Sequence, residues 1–145
     1  MKELVVGLDG SRDSRRALRW AAAIADRAGV EVRAVQAWSY PPLTMLPGWS
    51  KVVSPSQMDD RALDDVRAEV ESALGAFPGF VSTQALRGPP AAAILRTVGP
   101  DSVLVLGSRG RGGFAGLLLG SVGDGLVRHA NTPVAVVHTH PTTTS

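Results

Sequence analysis

Hydrophobic positions along this chain alternate between two rhythms. Short apolar blocks of four to eight residues suit strands buried on both faces, and longer stretches with three- and four-residue spacing suit helices. Leu4-Val5-Val6-Gly7-Leu8 is the first block. A helix follows from about Arg12 to Ala28, with Ala17, Leu18, Ala21, Ile24, Ala25 and Ala28 on one stripe and Arg12, Arg15, Arg16, Arg19 and Arg27 mostly facing away. Ser11 is placed to cap it and Gly29 to end it. Val30 to Trp38 reads as the second strand, with Val30, Val32, Ala34 and Val35 as its inward candidates.

The connection from Ser39 to Val53 carries Pro41, Pro42, Pro47 and Gly48, yet is apolar at Trp38, Tyr40, Met45, Leu46 and Trp49. Loops of this length are often functional. It has three readings: a ligand cover, a contact with a neighbouring subunit, or aromatics packed on their own core. Ser54-Pro55-Ser56-Gln57 is a capping box with proline at the first helical position. The helix it opens runs to about Ala76, with Leu63, Val66, Val70, Leu74 and Phe77 inward. Its acids, Asp59, Asp60, Asp64, Asp65, Glu69 and Glu71, read as a solvated face, since no histidine accompanies them. Phe80 to Leu86 is a shorter strand suited to a sheet edge. A helix spans Ala91 to Val98, Val103 to Leu106 is the fourth strand, and a helix runs from about Ser121 to Ala130. Val134 to Val137 is the fifth strand, and the polar stretch from Thr139 to Ser145 reads as a frayed tail.

Strands alternating with helical crossovers predict an α/β protein with a parallel sheet and helices on both faces. A chain of 145 residues fits one domain, 1–145, with its ordered core at about 3–138. No apolar run reaches the roughly 18 residues of a membrane span. Met1-Lys2-Glu3 leads straight into the first strand with no signal-peptide pattern, so the expected compartment is the cytoplasm. There are no cysteines, which excludes disulfides and thiolate metal sites. The net charge is only +2 and aromatics are 5% of the chain, so neither a nucleic-acid face nor a membrane partner is expected.

Chemistry concentrates in Val103 to Ser121, VLVLGSRGRGGFAGLLLGS. Six glycines, Gly107, Gly110, Gly112, Gly113, Gly116 and Gly120, follow a buried strand; Arg109 and Arg111 lie among them, and no acid lies between Asp101 and Asp124. Backbone N–H groups, positive charge and a following helix N-terminus suit a phosphate. Ser121 is placed either to cap that helix or to touch the anion. The loop is not a P-loop, because GxxxxGK[ST] is absent. Gly110-x-Gly112-x-x-Ala115 loosely matches a dinucleotide fingerprint, but after the wrong strand and without the later acid.

The spacing Gly107-x2-Gly110-x9-Gly120-Ser121 resembles the ATP-binding loop of the universal stress protein family. Val6-Gly7-Leu8-Asp9-Gly10-Ser11, Val122, His129-Ala130 and Pro133 to Val137 resemble that family too, so the likeness runs from about Leu4 to Val137. The resemblance implies a three-layer α/β/α sandwich of the adenine nucleotide α-hydrolase-like, Rossmann-like kind, with a five-stranded parallel sheet of order 3-2-1-4-5. Strands 1 and 4 would then be neighbours at the topological switch point, where such sheets bind ligands. It implies ATP or another adenine nucleotide, with Mg²⁺. Gly107, Arg109, Gly110, Gly120, Ser121 and Val122 would line the phosphates, Gly7, Leu8, Asp9 and Ala37 the adenine and ribose, with Leu106 and Gly123 as further nucleotide-site residues. Asp9 has two readings, a ribose or Mg²⁺ ligand and a turn carboxylate. Arg109 likewise either neutralises phosphate or is an exposed loop cation. ATP-binding members often carry Ser or Thr where this chain has Gly123, which removes one hydroxyl contact. The resemblance also implies a homodimer through Val134, Ala135, Val136 and Val137, an uncharged edge that needs covering.

No catalytic constellation is visible. Ser121 has no base partner in the pattern, His129 lies eight residues on, and His138 with His140 is weak metal evidence. Two readings of function remain: a nucleotide-binding regulatory module, at most a slow ATPase, and a ligand-free interaction protein in which the glycines only serve a turn.

Overall fold

The computed structural model describes residues 1–39, 55–108 and 120–138. In chain order the elements are β1 (Glu3–Gly7), α1 (Arg12–Ala28), β2 (Glu31–Trp38), α2 (Pro55–Leu74), β3 (Val81–Arg87), α3 (Pro90–Thr97), β4 (Ser102–Gly107), α4 (Ser121–His129) and β5 (Val134–Val137). The five strands form one sheet of order β3-β2-β1-β4-β5, and every neighbouring pair is parallel. This is the three-layer, Rossmann-like α/β arrangement.

Burial explains the layers. Leu4, Val6, Val32, Ala34 and Val105 face α1 and α2, joined by Leu18 and Ala21 of α1 and Val66 and Val70 of α2. Val5, Val35, Leu104 and Leu106 face the other way, against Ile94 of α3 and Leu126 of α4. The central strands are thus apolar at consecutive positions because both of their faces are covered. No helix among the described residues is long and apolar enough to cross a membrane.

Several boundaries differ from the expected ones, each for a local reason. α1 has the expected span: the Ser14 N–H donates to Ser11 Oγ at 3.2 Å, and Gly29 closes the helix at φ 70°. The Val30 N–H donates to Ala25 O at 3.2 Å as part of that closure, so β2 begins one residue later than expected. Val35 points away from Val32 and Ala34, into the second cluster. Phe80 precedes β3 and packs beside Val81, which is the buried residue there. α3 starts at Pro90, where proline loses no helical hydrogen bond. Ser54 of the capping box, the apolar residues from Tyr40 to Val53, and the 139–145 tail lie outside the described residues.

At the N-terminal ends of the strands Arg33 braces the sheet. Its Nη2 donates to Glu3 Oε1 at 2.7 Å and to Thr97 O at 2.8 Å, and Nη1 donates to Gln84 Oε1 at 2.9 Å and to Thr97 Oγ1. Ser102 Oγ also donates to Glu3 Oε1, at 2.7 Å. The Arg33 hydrogen bonds hold the Glu3 carboxyl below its ordinary value against the opposing effect of burial. This cluster ties β1, β2, β3, α3 and β4 at the end away from the crevice.

Candidate functional site

β1 and β4 are adjacent, so their C-terminal ends open side by side at the point where strand order reverses. The β1 side is built by a turn. Leu8, buried, extends the ladder by donating its N–H to Val35 O at 2.8 Å. Asp9 then folds the chain: its Oδ1 accepts the Ser11 N–H at 2.9 Å, and its own N–H reaches Ser14 Oγ at 3.4 Å. Gly10 sits at φ 82°, a conformation that other residues rarely adopt. The turn-carboxylate role of Asp9 is therefore present in the structure. Gly7 lies opposite Val35 of β2, and Ala37 stands two residues further along that strand, half-buried. A Cβ on Gly7 would sit 3.3 Å from Ile94 Cδ1 and 3.4 Å from Leu106 Cδ2, so Gly7 and Leu106 share the face toward α3.

Arg15 departs from the expected solvated helix face. Its Nη1 donates to Gly10 O at 3.0 Å and lies 3.7 Å from Glu69, whose side chain is only 17% exposed. The two help line a hollow of about 410 Å³ between α1 and α2 that also takes in Asp9, Gln36, Asp65 and Ser72. Gln36 Oε1 is buried there without a donor. Three carboxylates, Asp9, Asp65 and Glu69, face one guanidinium, Arg15, in this hollow.

The other side of the crevice is β4 and the start of α4. Gly107 ends β4 against the first turn of α1: a Cβ there would lie 2.6 Å from the Asp13 carbonyl carbon and oxygen and 2.9 Å from Asp13 Cβ. Glycine at 107 is thus required by packing. Ser108, which the sequence reading did not single out, is 4% exposed, and its hydroxyl donates to Asp13 Oδ2 at 3.4 Å. Its N–H donates to Val137 O at 3.2 Å, and its carbonyl accepts the Gly120 N–H at 3.1 Å. A small polar residue directly after a buried strand was the available signal.

Gly120 is the N-cap of α4, at φ −72° and ψ 173°, with no side-chain cap; its carbonyl accepts the Asp124 N–H at 2.9 Å. Ser121 therefore occupies the first helical position and does not cap. The N–H groups of Ser121, Val122 and Gly123 precede the first intrahelical donor, Asp124, and so have no acceptor within the helix. Such an end favours an anion through its dipole as well as its donors. Asp124 in the same turn is paired with Arg128 at 2.9 Å. Arg109 and Gly110 lie outside the described residues. Among the described residues no three His, Cys, Asp or Glu side chains gather as a metal site.

Comparison with known proteins agrees with this architecture. The model of the universal stress protein family matches residues 1–138. Universal stress protein Rv1996 of Mycobacterium tuberculosis is 35% identical over 158 residues, covering 95% of this chain and 48% of its own length. Rv2623 of the same organism is 33% identical over 134 residues, covering 92% and 44%. The chain thus spans about half the length of these curated relatives. A universal stress protein crystallised in complex with cAMP is 26% identical, with a TM-score of 0.64 over 96% of this chain and 98% of that one. UspA from Lactobacillus plantarum shares the fold at a TM-score of 0.70 and 21% identity, over 94% and 97%.

Proposed function

This chain belongs to the universal stress protein family, and from that premise we propose that it is an adenine-nucleotide-binding regulatory module, with ATP as its ligand. One observation carries the reading: the N–H groups that open α4 follow Gly120, which is bonded to Ser108 at the end of β4, and β4 pairs with β1, whose end runs into the Asp9 turn at the switch point of the sheet. In this reading Gly120, Ser121, Val122 and Gly123 hold phosphate with Arg109 and Gly110. Leu106 and Gly107 form the floor, and Gly7, Leu8, Asp9 and Ala37 flank the ribose and base. A related structure holds cAMP, an adenine nucleotide. The donor set suits Mg²⁺ in one respect: this ion is commonly held by one carboxylate together with substrate phosphates, and Asp9 supplies the carboxylate. Residues 134–137, each half-buried at the sheet edge, pair with a second copy in this reading. The module works in the cytoplasm, with hydrolysis no more than slow.

A second reading, a ligand-free interaction protein of the same fold, is favoured by Gly107, whose lack of a side chain is accounted for by Asp13 alone. Gly110→Val decides between the two. The nucleotide module loses ATP affinity by at least tenfold, about 1.4 kcal/mol or more, with its melting temperature unchanged. Unchanged affinity sinks the phosphate-loop reading.

A further inference from the structure

Ser108 makes polar contacts with three other parts of the fold. Its N–H reaches β5 at Val137 O, its carbonyl takes the Gly120 N–H, and its buried hydroxyl donates to Asp13 on α1. Ser108 and Gly120 flank the glycine segment in the sequence, and the 3.1 Å bond between them ties β4 to the start of α4. The donors that open α4 begin one residue later. Asp13 cannot shift toward β4, because Gly107 already leaves no space for even a methyl group there. Its carboxylate meets Ser108 where the backbone contact places it.

We infer that Asp13 and Ser108 are positioning residues for the anion site: without touching ligand, they hold the start of α4 against β4 and α1. The inference rests on the nucleotide reading above and adds residues to it. A group that only aims the phosphate donors should affect phosphate-bearing ligands and leave the nucleoside alone.

The test compares Ser108→Ala, Ser108→Thr, Asp13→Ala and the double variant Asp13→Ala/Ser108→Ala, titrating each with ATP·Mg²⁺ and with adenosine. Amide exchange of Gly120 is measured in the ligand-free proteins. One lost hydrogen bond predicts about fivefold weaker ATP binding in Ser108→Ala, and at least that loss in Asp13→Ala. Adenosine affinity is unchanged, Ser108→Thr stays within about twofold of the parent, and the double variant is no weaker than Asp13→Ala, because that change already removes the Ser108 contact. Native ATP affinity in Ser108→Ala overturns the inference, and so does an equal loss for ATP and adenosine. If the parent binds neither ligand, the nucleotide reading fails by itself and the exchange data decide. Faster exchange at Gly120 with unchanged exchange at Ala130 upholds the positioning role; unchanged exchange at both ends it.

Discussion

Replacing Gly107 with alanine is a demanding check on the contact between α1 and β4. The added Cβ would lie 2.6 Å from the carbonyl carbon and oxygen of Asp13 and 2.9 Å from its Cβ. Carbon atoms in good contact are about 3.5–4.0 Å apart, so the overlap is nearly an ångström, and it is against backbone. Gly107 is not among the positive-φ glycines, so the cost is steric and not conformational. Relief requires moving the first turn of α1, whose Ser14, Ala17 and Leu18 are buried against the sheet. Overpacking of this kind costs about 1–3 kcal/mol, which for a chain of this size lowers the melting temperature by roughly 3–12 °C. Gly99→Ala is the control: nothing lies within 4 Å of its added Cβ and its φ is not positive, so it should be neutral or slightly stabilising. Calorimetry and urea titration measure both variants. A Gly107→Ala protein within 0.5 kcal/mol of the parent, or matching Gly99→Ala, would refute the close approach.

Three further outcomes follow from the same structure. Gly123→Ser restores a hydroxyl at the start of α4 and should tighten ATP binding about fivefold, read by calorimetric titration against the parent. Glu3→Gln removes the charge that Arg33 holds; the folded pKa of Glu3 lies below its unfolded value of 4.5, so its contribution is full above that pH and fades as pH falls through the folded value. The parent should therefore exceed Glu3→Gln by about 1–2 kcal/mol at pH 7, with the gap closing below pH 4.5 in urea titrations. Val136→Lys puts a charge on the half-buried edge strand β5 and, on the proposed pairing of that strand with a second copy, should give a monomer where the parent sediments as a dimer.

Local signals in the sequence were read correctly where neighbours in the chain decide the outcome. Ser11 and Gly29 bound α1 at the expected residues because a cap is satisfied within one turn. Strand order was different: periodicity gave five strands, and only the family likeness supplied 3-2-1-4-5, which the structure has. What stayed hidden depends on register and crossing. Glu3 and Arg33 are 30 residues apart and meet because β1 pairs with β2 in parallel. Ser108 and Asp13 are 95 apart and meet because α1 crosses the end of β4. The sequence pattern groups Gly107 with the phosphate loop and gives no sign that its tightest neighbour is the backbone of α1, which no local pattern places there. The sequence leaves Ser121 open as a cap, and the backbone makes Gly120 the cap residue.

The central claim, that the crevice between β1 and β4 holds an adenine nucleotide, is tested most directly by denaturing freshly purified protein and identifying what is released, by chromatography and mass spectrometry. The account predicts ATP, near one per chain, or stoichiometric uptake when ATP·Mg²⁺ is added to emptied protein. Protein that releases nothing and shows no thermal shift with ATP·Mg²⁺ contradicts it and leaves the α4 N-terminus as a structural feature of an interaction protein.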